Sequence, residues 1–315
     1  MVRKYLYYKL KRTKLPYYPD RLYIEATNIC NLKCPMCPTG RGDMKRPEGF
    51  MDFNFFKKII DEMSPHIKTV VLHIWGESLM DKRIFDKISY AKGYDVKTEL
   101  STNVTLLDAK ITRNIFDSGL DVIYLCLDGV TKETYEGLRK GANFELVTSN
   151  ISYLLTEKKE RNLTRPYVNL QIVDMKATHG EIEKFRKRWS IQGVENINVK
   201  SFDTWGGQID AITELKEKAE DVAEKRFHCP NLWYHAHIYW DGTLVACDRD
   251  FNAAYPLGNV KDGVMKVWNG AKMRKLREKH LKDDLEDVPS CSKCVEWSWW
   301  KPTAFSSWGN IPKKG

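Results

Sequence analysis

The spacing of the cysteines is the strongest chemical signal in the sequence. Three of them follow a short β-branched segment in the pattern C-x₃-C-x₂-C: Cys30, Cys34 and Cys37. Four more have the pattern C-x₁₇-C-x₄₃-C-x₂-C: Cys229, Cys247, Cys291 and Cys294. Cysteine thiolates bind both iron–sulfur clusters and zinc. The sequence therefore predicts two metal centres, with Cys126 as a spare thiol.

The number of thiolates in each group indicates what it can bind. Three thiolates can hold three irons of a [4Fe–4S] cluster and leave the fourth iron open to an external ligand. The alternative, a structural zinc site, lacks its fourth ligand in the first group. Four thiolates complete either a [4Fe–4S] cluster or a structural zinc site. Spacing alone leaves both alternatives open for the second group.

Runs of β-branched residues alternate with helical patterns from Arg21 to Phe202. The strands and helices that they predict must position the first cysteine group. Helices with N-caps at Asp52, Asp81 and Asp108 separate the strands. Six β/α repeats predict a parallel sheet, and six are too few to close an eight-stranded barrel. The predicted fold is α/β, a partial (β/α)6 TIM-like barrel followed by a small hairpin-and-helix domain. The predicted strands are Leu22–Ala26, Thr69–Trp75, Val96–Ser101, Val122–Asp128, Val168–Val173 and Ile197–Phe202.

The period-two alternation of these strands points polar side chains into the partial barrel. An interior this polar predicts a cavity for a polar ligand, and the candidate substrate-binding residues are His73, Glu99, Gln171 and Lys200. The alternative is a buried network in which these groups satisfy one another. The full inward set is Glu25, His73, Trp75, Glu99, Tyr124, Cys126, Asp128, Asn169, Gln171, Asn198 and Lys200.

Changes in composition divide the chain into five segments. They are an N-terminal extension, the partial barrel, a linker with a helical pattern over Asp210–Phe227, a second domain and an aromatic tail, at 1–20, 21–205, 206–226, 227–296 and 297–315. In the second domain, Asp241-Gly242 is a two-residue turn suited to a type I′ hairpin between His235–Trp240 and Thr243–Asp248. A helix is predicted over Val264–Lys282. The tail is expected to pack over the barrel mouth.

The net charge of +9 is concentrated in Arg3–Lys14 and Lys272–Lys282. Charged residues in such stretches usually lie on solvent-exposed helix faces. The N-terminal stretch is therefore expected to form a surface helix that covers the barrel bottom. The alternatives are that it contacts a membrane or a partner protein. No apolar run approaches the ~18–20 residues that span a bilayer. Without a secretory signal the expected location is the cytoplasm, where thiols stay reduced.

The first cysteine group and the segments after later strands resemble the radical SAM superfamily, which cleaves S-adenosylmethionine (SAM). The C-x₃-C-x₂-C loop after strand one is the hallmark of that family. Trp75-Gly76-Glu77-Ser78 resembles its Gly-Gly-Glu-Pro motif, and Ser101-Thr102-Asn103 is similar to its ribose- and carboxylate-contacting segment. Leu127-Asp128-Gly129 looks like the family's S-[IL]-D-G. The chain departs from these patterns at Trp75, Ser78 and Cys126.

The resemblance implies a mechanism and a set of cofactor contacts. A [4Fe–4S] cluster on the first group would receive an electron from a reductant such as flavodoxin or ferredoxin. SAM would then yield methionine and a 5′-deoxyadenosyl radical, which takes a hydrogen atom from the substrate. Arg139 is similar to a basic residue that pairs with the SAM carboxylate. The implied SAM-binding residues are Met36, Trp75, Gly76, Glu77, Ser101, Asn103, Asp128 and Arg139.

The second group resembles a SPASM domain or its shortened twitch form, in which a hairpin and a CxxC pair hold an auxiliary [4Fe–4S] cluster. No cysteine follows Cys294, which favours the twitch form. Within the family the spacing is most similar to dehydrogenases of the 2-deoxy-scyllo-inosamine type. That similarity implies oxidation of a secondary alcohol on a cyclitol or sugar, without a nucleic-acid partner. The alternatives are epimerisation, dehydration, decarboxylation and peptide modification; the rival class is a Cys₄-zinc nucleic-acid-binding protein.

Two candidate catalytic residues distinguish these reactions. Asp248 directly follows Cys247, where a carboxylate suits removal of a proton from the substrate. Its alternative role is to cap the end of the hairpin. In an epimerase, the thiol of Cys126 would donate a hydrogen atom to the substrate radical. The alternative is that Cys126 only packs within the strand layer. We expect a dehydrogenase that uses Asp248.

Overall fold

The computed structural model describes residues 2–217 and 225–303, and its central element is a single sheet. The strands are β1 (Arg21–Ile24), β2 (Thr69–Val71), β3 (Lys97–Thr102), β4 (Val122–Cys126), β5 (Tyr167–Asp174), β6 (Asn196–Ser201), β7 (His235–Ile238), β8 (Thr243–Val245) and β9 (Gly258–Asn259). Their order across the sheet is β6-β5-β4-β3-β2-β1-β7-β8-β9.

The sheet confirms the predicted fold class. The strands β1 to β6 are parallel neighbours in chain order, as repeated βα units require. Each of the six predicted strands overlaps one of them. The strand order ends at β6 on one side and β9 on the other, so the barrel is partial.

The second domain continues the same sheet. Strand β7 pairs in parallel with β1, with Arg21 opposite His235 and Ile24 opposite Ile238. Strand β8 then returns antiparallel to β7, which confirms the predicted hairpin. The predicted type I′ turn at Asp241-Gly242 was wrong, because Asp241 does not have a positive φ and Gly242 N bonds Tyr239 O at 2.9 Å, which places Trp240 and Asp241 at the centre of the turn. Gly242 in its turn has φ +90°, a conformation that glycine adopts without strain.

Helices cover the outer face of the sheet. Asp52 caps the helix Phe53–Met63 as predicted, and its side chain accepts from Phe55 N at 2.8 Å. Asp108 caps the helix Ala109–Asp117 in the same way, and its side chain accepts from Ile111 N at 2.7 Å. The helices are α1 (Val2–Lys9), α2 (Pro38–Arg41), α3 (Phe53–Met63), α4 (Ile84–Lys92), α5 (Ala109–Asp117), α6 (Lys132–Leu138), α7 (Phe144–Glu160), α8 (Ile182–Trp189), α9 (Asp210–Thr213), α10 (Asn231–Tyr234), α11 (Val264–Trp268), α12 (Ala271–Lys282) and α13 (Pro289–Ser292).

Three helix predictions were inaccurate. Asp81 lies before α4 rather than at its N-cap, and its carboxylate pairs with the buried Lys87. The helix predicted over Val264–Lys282 is divided at Asn269-Gly270, because the Asn269 side chain bonds the backbone of Leu15 instead of continuing the helix. The helix predicted over Asp210–Phe227 is limited to α9 among the described residues; residues 218–224 lie outside them.

The two faces of the sheet differ as the alternation predicts. The outward residues of β1 to β5 pack against the helices in one apolar core, which includes Leu22, Val70, Leu100, Ile123, Leu125 and Leu170. The inward face carries the polar set. Of the tail, Trp300 packs on Tyr234 with ring centroids 5.0 Å apart; residues 304–315, with Phe305 and Trp308, lie outside the described part.

A buried arginine ties the N-terminal extension to the second domain. The Arg277 side chain of α12 is fully buried and lies 4.5 Å from the ring centroid of Trp268. It donates to Thr13 O at 2.8 Å and to Leu232 O at 2.9 Å. Residues 13–17 are therefore held against α10 and α12.

Replacing Arg277 with methionine should destabilise the protein. The change leaves two buried carbonyls without a donor, which costs about 2–4 kcal/mol in the free energy of unfolding. Anaerobic urea titration followed by circular dichroism measures this loss. Lys275→Met, at an exposed position of the same helix, is the matched control and should change it by less than about 0.5 kcal/mol. Equal losses in the two variants would contradict the proposed tie.

Candidate active site inside the partial barrel

The first cysteine group lines a cavity at the carboxyl ends of the strands. Cys37 N bonds Cys34 O at 3.2 Å, and Lys33 N bonds Lys140 O at 2.9 Å, which fixes the loop after β1. Burial raises the pKa of Cys30 to about 12 and of Cys34 to about 11. The cavity measures about 130 Å³, and its lining includes Cys30, Cys34, Cys37, His73, Gly76, Glu77, Ser101, Asn103, Cys126 and Arg139.

Glycine is required where the chain passes beneath this loop. Gly76 has φ +72°, and a Cβ atom there would lie 2.6 Å from Ile29 O. The adjacent Glu77 N bonds Ile29 O at 2.8 Å. The buried Glu77 carboxylate accepts from Asn103 N at 2.7 Å. Glu77 therefore joins the segments that follow β1, β2 and β3.

Arg139 and Asp128 form a buried ion pair beside the first group. Arg139 donates two hydrogen bonds to one Asp128 oxygen, at 2.8 and 2.5 Å. The other Asp128 oxygen accepts from Val173 N at 2.8 Å. The Arg139 charge also offsets part of the rise that burial causes in the pKa of Cys34. Arg139 lies at the cavity wall, where an anionic group of a bound cofactor would meet a cation.

Cys126 lies on the inward face of β4. Its sulfur is 3.2 Å from Ser101 Oγ and 3.5 Å from Gln171 Nε2. Gln171 Oε1 in turn accepts from Asn198 Nδ2 at 3.0 Å. Burial raises the pKa of Cys126. The thiol is thus neutral and faces the cavity of the first cysteine group.

Trp75, which replaces a glycine of the family motif, packs against a loop that the sequence did not reveal. Its ring centroid is 4.6 Å from that of Trp205 and 6.1 Å from that of Phe251. Trp205 Nε1 donates to Met36 O at 2.9 Å, inside the first cysteine loop. The loop after β6 therefore contacts the first site directly.

The same loop reaches the second cysteine group. Thr204 donates from N and Oγ1 to Glu296 at 2.9 and 2.6 Å. Asp203 accepts from Arg249 Nη2 at 2.6 Å in a buried pair. Arg249 directly follows Asp248 in the sequence, but sequence reasoning missed it. Residues 203–207 thus connect the two sites.

The four cysteines of the second group converge beside this loop. Cys247 and Cys291 are buried, and Cys229 and Cys294 are partly exposed. Burial raises the pKa of each thiol, and the Arg249 charge opposes that rise at Cys229, Cys247 and Cys294. Neighbouring thiols raise the pKa of Cys247 and Cys294 further. Four soft donors beside a buried cation fit a cluster of several irons.

The spacing of these donors bears on the zinc alternative. Among the described residues, no three His, Cys, Asp or Glu side chains lie close enough to hold a single metal ion. Tetrahedral zinc would bring its sulfurs to within about 4 Å of one another. A four-iron cube places its thiolates farther apart than a single zinc ion does.

Asp248 faces the barrel interior. Burial alone would raise its pKa, but Arg249, His237 and Lys200 outweigh burial and lower it. The Arg249 Nη1 atom is 3.4 Å from the Asp248 carboxylate. His237 on β7 stacks on Tyr23 of β1, with centroids 4.4 Å apart and planes 9° apart. His237 was missed by sequence reasoning, although the alternation of β7 would have placed it inward.

The candidate substrate-binding residues occupy two levels of the interior. His73, Gln171 and Lys200 lie near Cys126, and burial lowers the pKa of His73 to about 4. Glu99 lies nearer the amino ends of the strands, where its carboxylate pairs with Arg21 and Lys97. It lines a second cavity of about 860 Å³ at the amino ends of the strands, together with Arg21, Tyr124, Asn169, Asn196 and Asn198.

Comparison with known proteins identifies the two regions. A profile of the radical SAM superfamily matches residues 24–187. The SPASM iron–sulfur cluster-binding domain matches residues 229–295. No helix among the described residues is long and apolar enough to cross a membrane.

Relatives with different named activities are similar to this chain in sequence. The tungsten-containing aldehyde ferredoxin oxidoreductase cofactor-modifying protein of Pyrococcus furiosus is 23% identical, over 92% of each chain. The mycofactocin maturase MftC of Mycobacterium tuberculosis is 26% identical over 43% of this chain and 34% of its own.

Two solved structures have the same fold. BtrN in complex with AdoMet and 2-DOIA has a TM-score of 0.61 at 16% identity, covering 89% of this chain and 94% of BtrN. Streptococcus suis SuiB bound to the precursor peptide SuiA has a TM-score of 0.66 at 15% identity, covering 85% and 68%. The chain therefore belongs to the radical SAM superfamily, uses SAM and a [4Fe–4S] cluster, and carries a C-terminal SPASM domain for auxiliary iron–sulfur binding.

Proposed function

We propose that the protein oxidises a secondary alcohol of a polyhydroxylated small molecule, a cyclitol or a sugar, to a ketone. The observation that carries this proposal is the position of Asp248. It directly follows the auxiliary-site ligand Cys247 and faces the same interior as Lys200 and His237. A carboxylate between a radical-generating site and an electron-accepting site suits loss of a proton during oxidation.

The chain holds the cofactors on two separate sets of thiols. Cys30, Cys34 and Cys37 would bind the first cluster. Beside them, the SAM contacts would come from Met36, Trp75, Gly76, Glu77, Ser101, Asn103, Asp128 and Arg139. When bound, SAM and the first cluster supply the 5′-deoxyadenosyl radical, and the auxiliary cluster supplies a one-electron acceptor. Glu77 acts by positioning, since its carboxylate is already bonded to the backbone of Asn103.

Neutral and cationic donors would bind the substrate hydroxyls. Burial lowers the pKa of both His73 and His237 to about 4, so both imidazoles are neutral and can donate and accept hydrogen bonds. His73 Nδ1 and His237 Nδ1 are buried and have no hydrogen-bond partner among the described residues. Lys200 adds a cationic donor near His73 and Cys126. This arrangement suits a ligand rich in hydroxyl groups.

Asp248 would receive the hydroxyl proton. Oxidation of the alcohol would remove a hydrogen atom from the substrate carbon, a proton from the hydroxyl and one further electron; the bound cofactors would take the hydrogen atom and the electron, which leaves the proton to Asp248. Arg249 Nη1 lies 3.4 Å from an Asp248 carboxylate oxygen. Arg249 is itself held in place, because its Nη2 donates to Asp203 at 2.6 Å. The base is therefore held in place before the substrate arrives.

A second candidate function is modification of a peptide or of a metal cofactor. It is favoured by the cofactor-modifying relative that spans 92% of both chains and by the fold shared with peptide-bound SuiB. Mass spectrometry of anaerobic reactions with cyclitols, sugars and candidate peptides separates the two functions. A loss of two mass units from a cyclitol or sugar supports oxidation.

Replacing Asp248 with asparagine should slow ketone formation about 10²–10⁴-fold, the usual contribution of a positioned general base. Cys126→Ala is the matched test of the epimerase alternative and should retain product formation, because an oxidation returns no hydrogen atom. Product and 5′-deoxyadenosine are quantified together by chromatography and mass spectrometry. An inactive Cys126→Ala, together with a native product that has the substrate's mass in ordinary water and gains one deuterium at the reacting carbon in deuterated water, would identify an epimerase instead.

The two cysteine groups should be separable in SAM cleavage. Replacing Cys30, Cys34 and Cys37 with alanine should abolish 5′-deoxyadenosine formation. The double variant Cys291→Ala/Cys294→Ala should keep abortive SAM cleavage while losing product. Dithionite-reduced protein without substrate is sufficient for this assay, and circular dichroism controls for misfolding. Complete loss of cleavage in folded double variant would show that the sites do not work separately.

A further inference from the structure

The N-terminal helix presents a strongly basic surface. Residues 2–14 contain six cationic side chains and no acidic one. Lys4 pairs with Asp20 at 3.4 Å. The other five are exposed, and no salt bridge joins them to a described carboxylate: Arg3, Lys9, Lys11, Arg12 and Lys14. We call this surface, with the apolar residues it surrounds, the basic face of α1.

Three exposed apolar side chains lie among these cationic residues. Val2, Leu6 and Leu10 are 61%, 51% and 54% exposed, and their four-residue spacing places them on one side of the helix. An apolar centre with a charged rim is the usual anatomy of a protein–protein interface. Because every charge of the rim is positive, the complementary partner is acidic.

The opposite side of α1 packs against His228, the residue before Cys229 of the second cysteine group. Tyr8 is 4% exposed, and its hydroxyl donates to His228 O at 2.8 Å. The Tyr8 and His228 rings lie 4.0 Å apart, and a His228 ring nitrogen is 3.1 Å from Tyr8 O. His228 directly precedes Cys229, which is partly exposed. The basic face is thus one packed layer away from the auxiliary site.

Further cations extend this surface around the second cysteine group. Arg226 donates to Cys291 O at 2.9 Å. The Lys301 ammonium lies 5.4 Å from the ring centroid of Phe227. Arg226 and Lys301 therefore add positive charge beside the second cysteine group, and Arg226 also pairs with Asp283 at 3.5 Å.

We propose that the basic face of α1 docks an acidic one-electron carrier protein, of the flavodoxin or ferredoxin kind, against the auxiliary site. The inference rests on the proposed function, in which each oxidation leaves one electron at the auxiliary cluster. That electron passes to the oxidised carrier, so the cluster is oxidised by one electron and the carrier is reduced by one.

The test measures binding of an acidic flavodoxin to the reconstituted full-length protein by titration calorimetry at low salt. Lys9→Glu/Arg12→Glu should raise Kd at least tenfold. Lys184→Glu/Lys187→Glu, an equal charge change on the exposed side of α8, should leave Kd unchanged. Added salt should weaken wild-type binding, since exposed charges are screened over about 8–10 Å. Stopped-flow transfer from dithionite-reduced protein to oxidised flavodoxin should slow in the first variant alone.

Three results would overturn the docking proposal. One is an unchanged Kd in Lys9→Glu/Arg12→Glu, and another is an equal loss in both double variants. The third is that Lys9→Glu/Arg12→Glu loses binding to phosphatidylserine vesicles and still binds flavodoxin like the wild-type protein. That result would assign the basic face to a membrane surface. Iron content and turnover with dithionite test the proposed function separately, because neither depends on the basic face. A failure of docking is therefore distinguishable from a failure of that function.

Discussion

The parallel pairing of β7 with β1 is the constraint on which the rest of the structure depends. It extends the barrel sheet into the second domain, so the inward side chains of both domains share one interior. The stacked rings of Tyr23 and His237 mark the junction. The hairpin then brings Cys247 and Asp248 back toward that interior. Without this pairing the second cysteine group would have no fixed position relative to the cavity of the first cysteine group.

The loop after β6 adds a second connection across the open side of the barrel. Trp205 bonds the backbone of the first cysteine loop, and Asp203 bonds Arg249 beside the second group. Trp75 occupies the place of a family glycine and packs on Trp205. This departure from the family motif is therefore coupled to a contact between the sites. The buried cation Arg249 stabilises both the thiolates and the carboxylate of Asp248.

Sequence reasoning predicted the elements that local patterns encode. Cysteine spacing, strand alternation and the N-caps at Asp52 and Asp108 all depend on residues close in the chain, and the fold class followed from them. Trp205 and Asp203 were not foreseen, because their partners lie more than 40 residues away and no local spacing records such contacts. The helix over Val264–Lys282 was divided for the same reason, since Asn269 bonds the distant Leu15. The roles of Asp248, Cys126 and the SAM-contacting residues stay predictions.

The central claim is that two iron–sulfur clusters flank one polar interior. Metal analysis combined with Mössbauer spectroscopy of the anaerobically reconstituted protein tests it most directly. Seven cysteines in groups of three and four predict about eight irons per chain, all in [4Fe–4S] clusters, without zinc. About four irons with one zinc per chain would contradict the claim, because the second group would then be structural and could accept no electron.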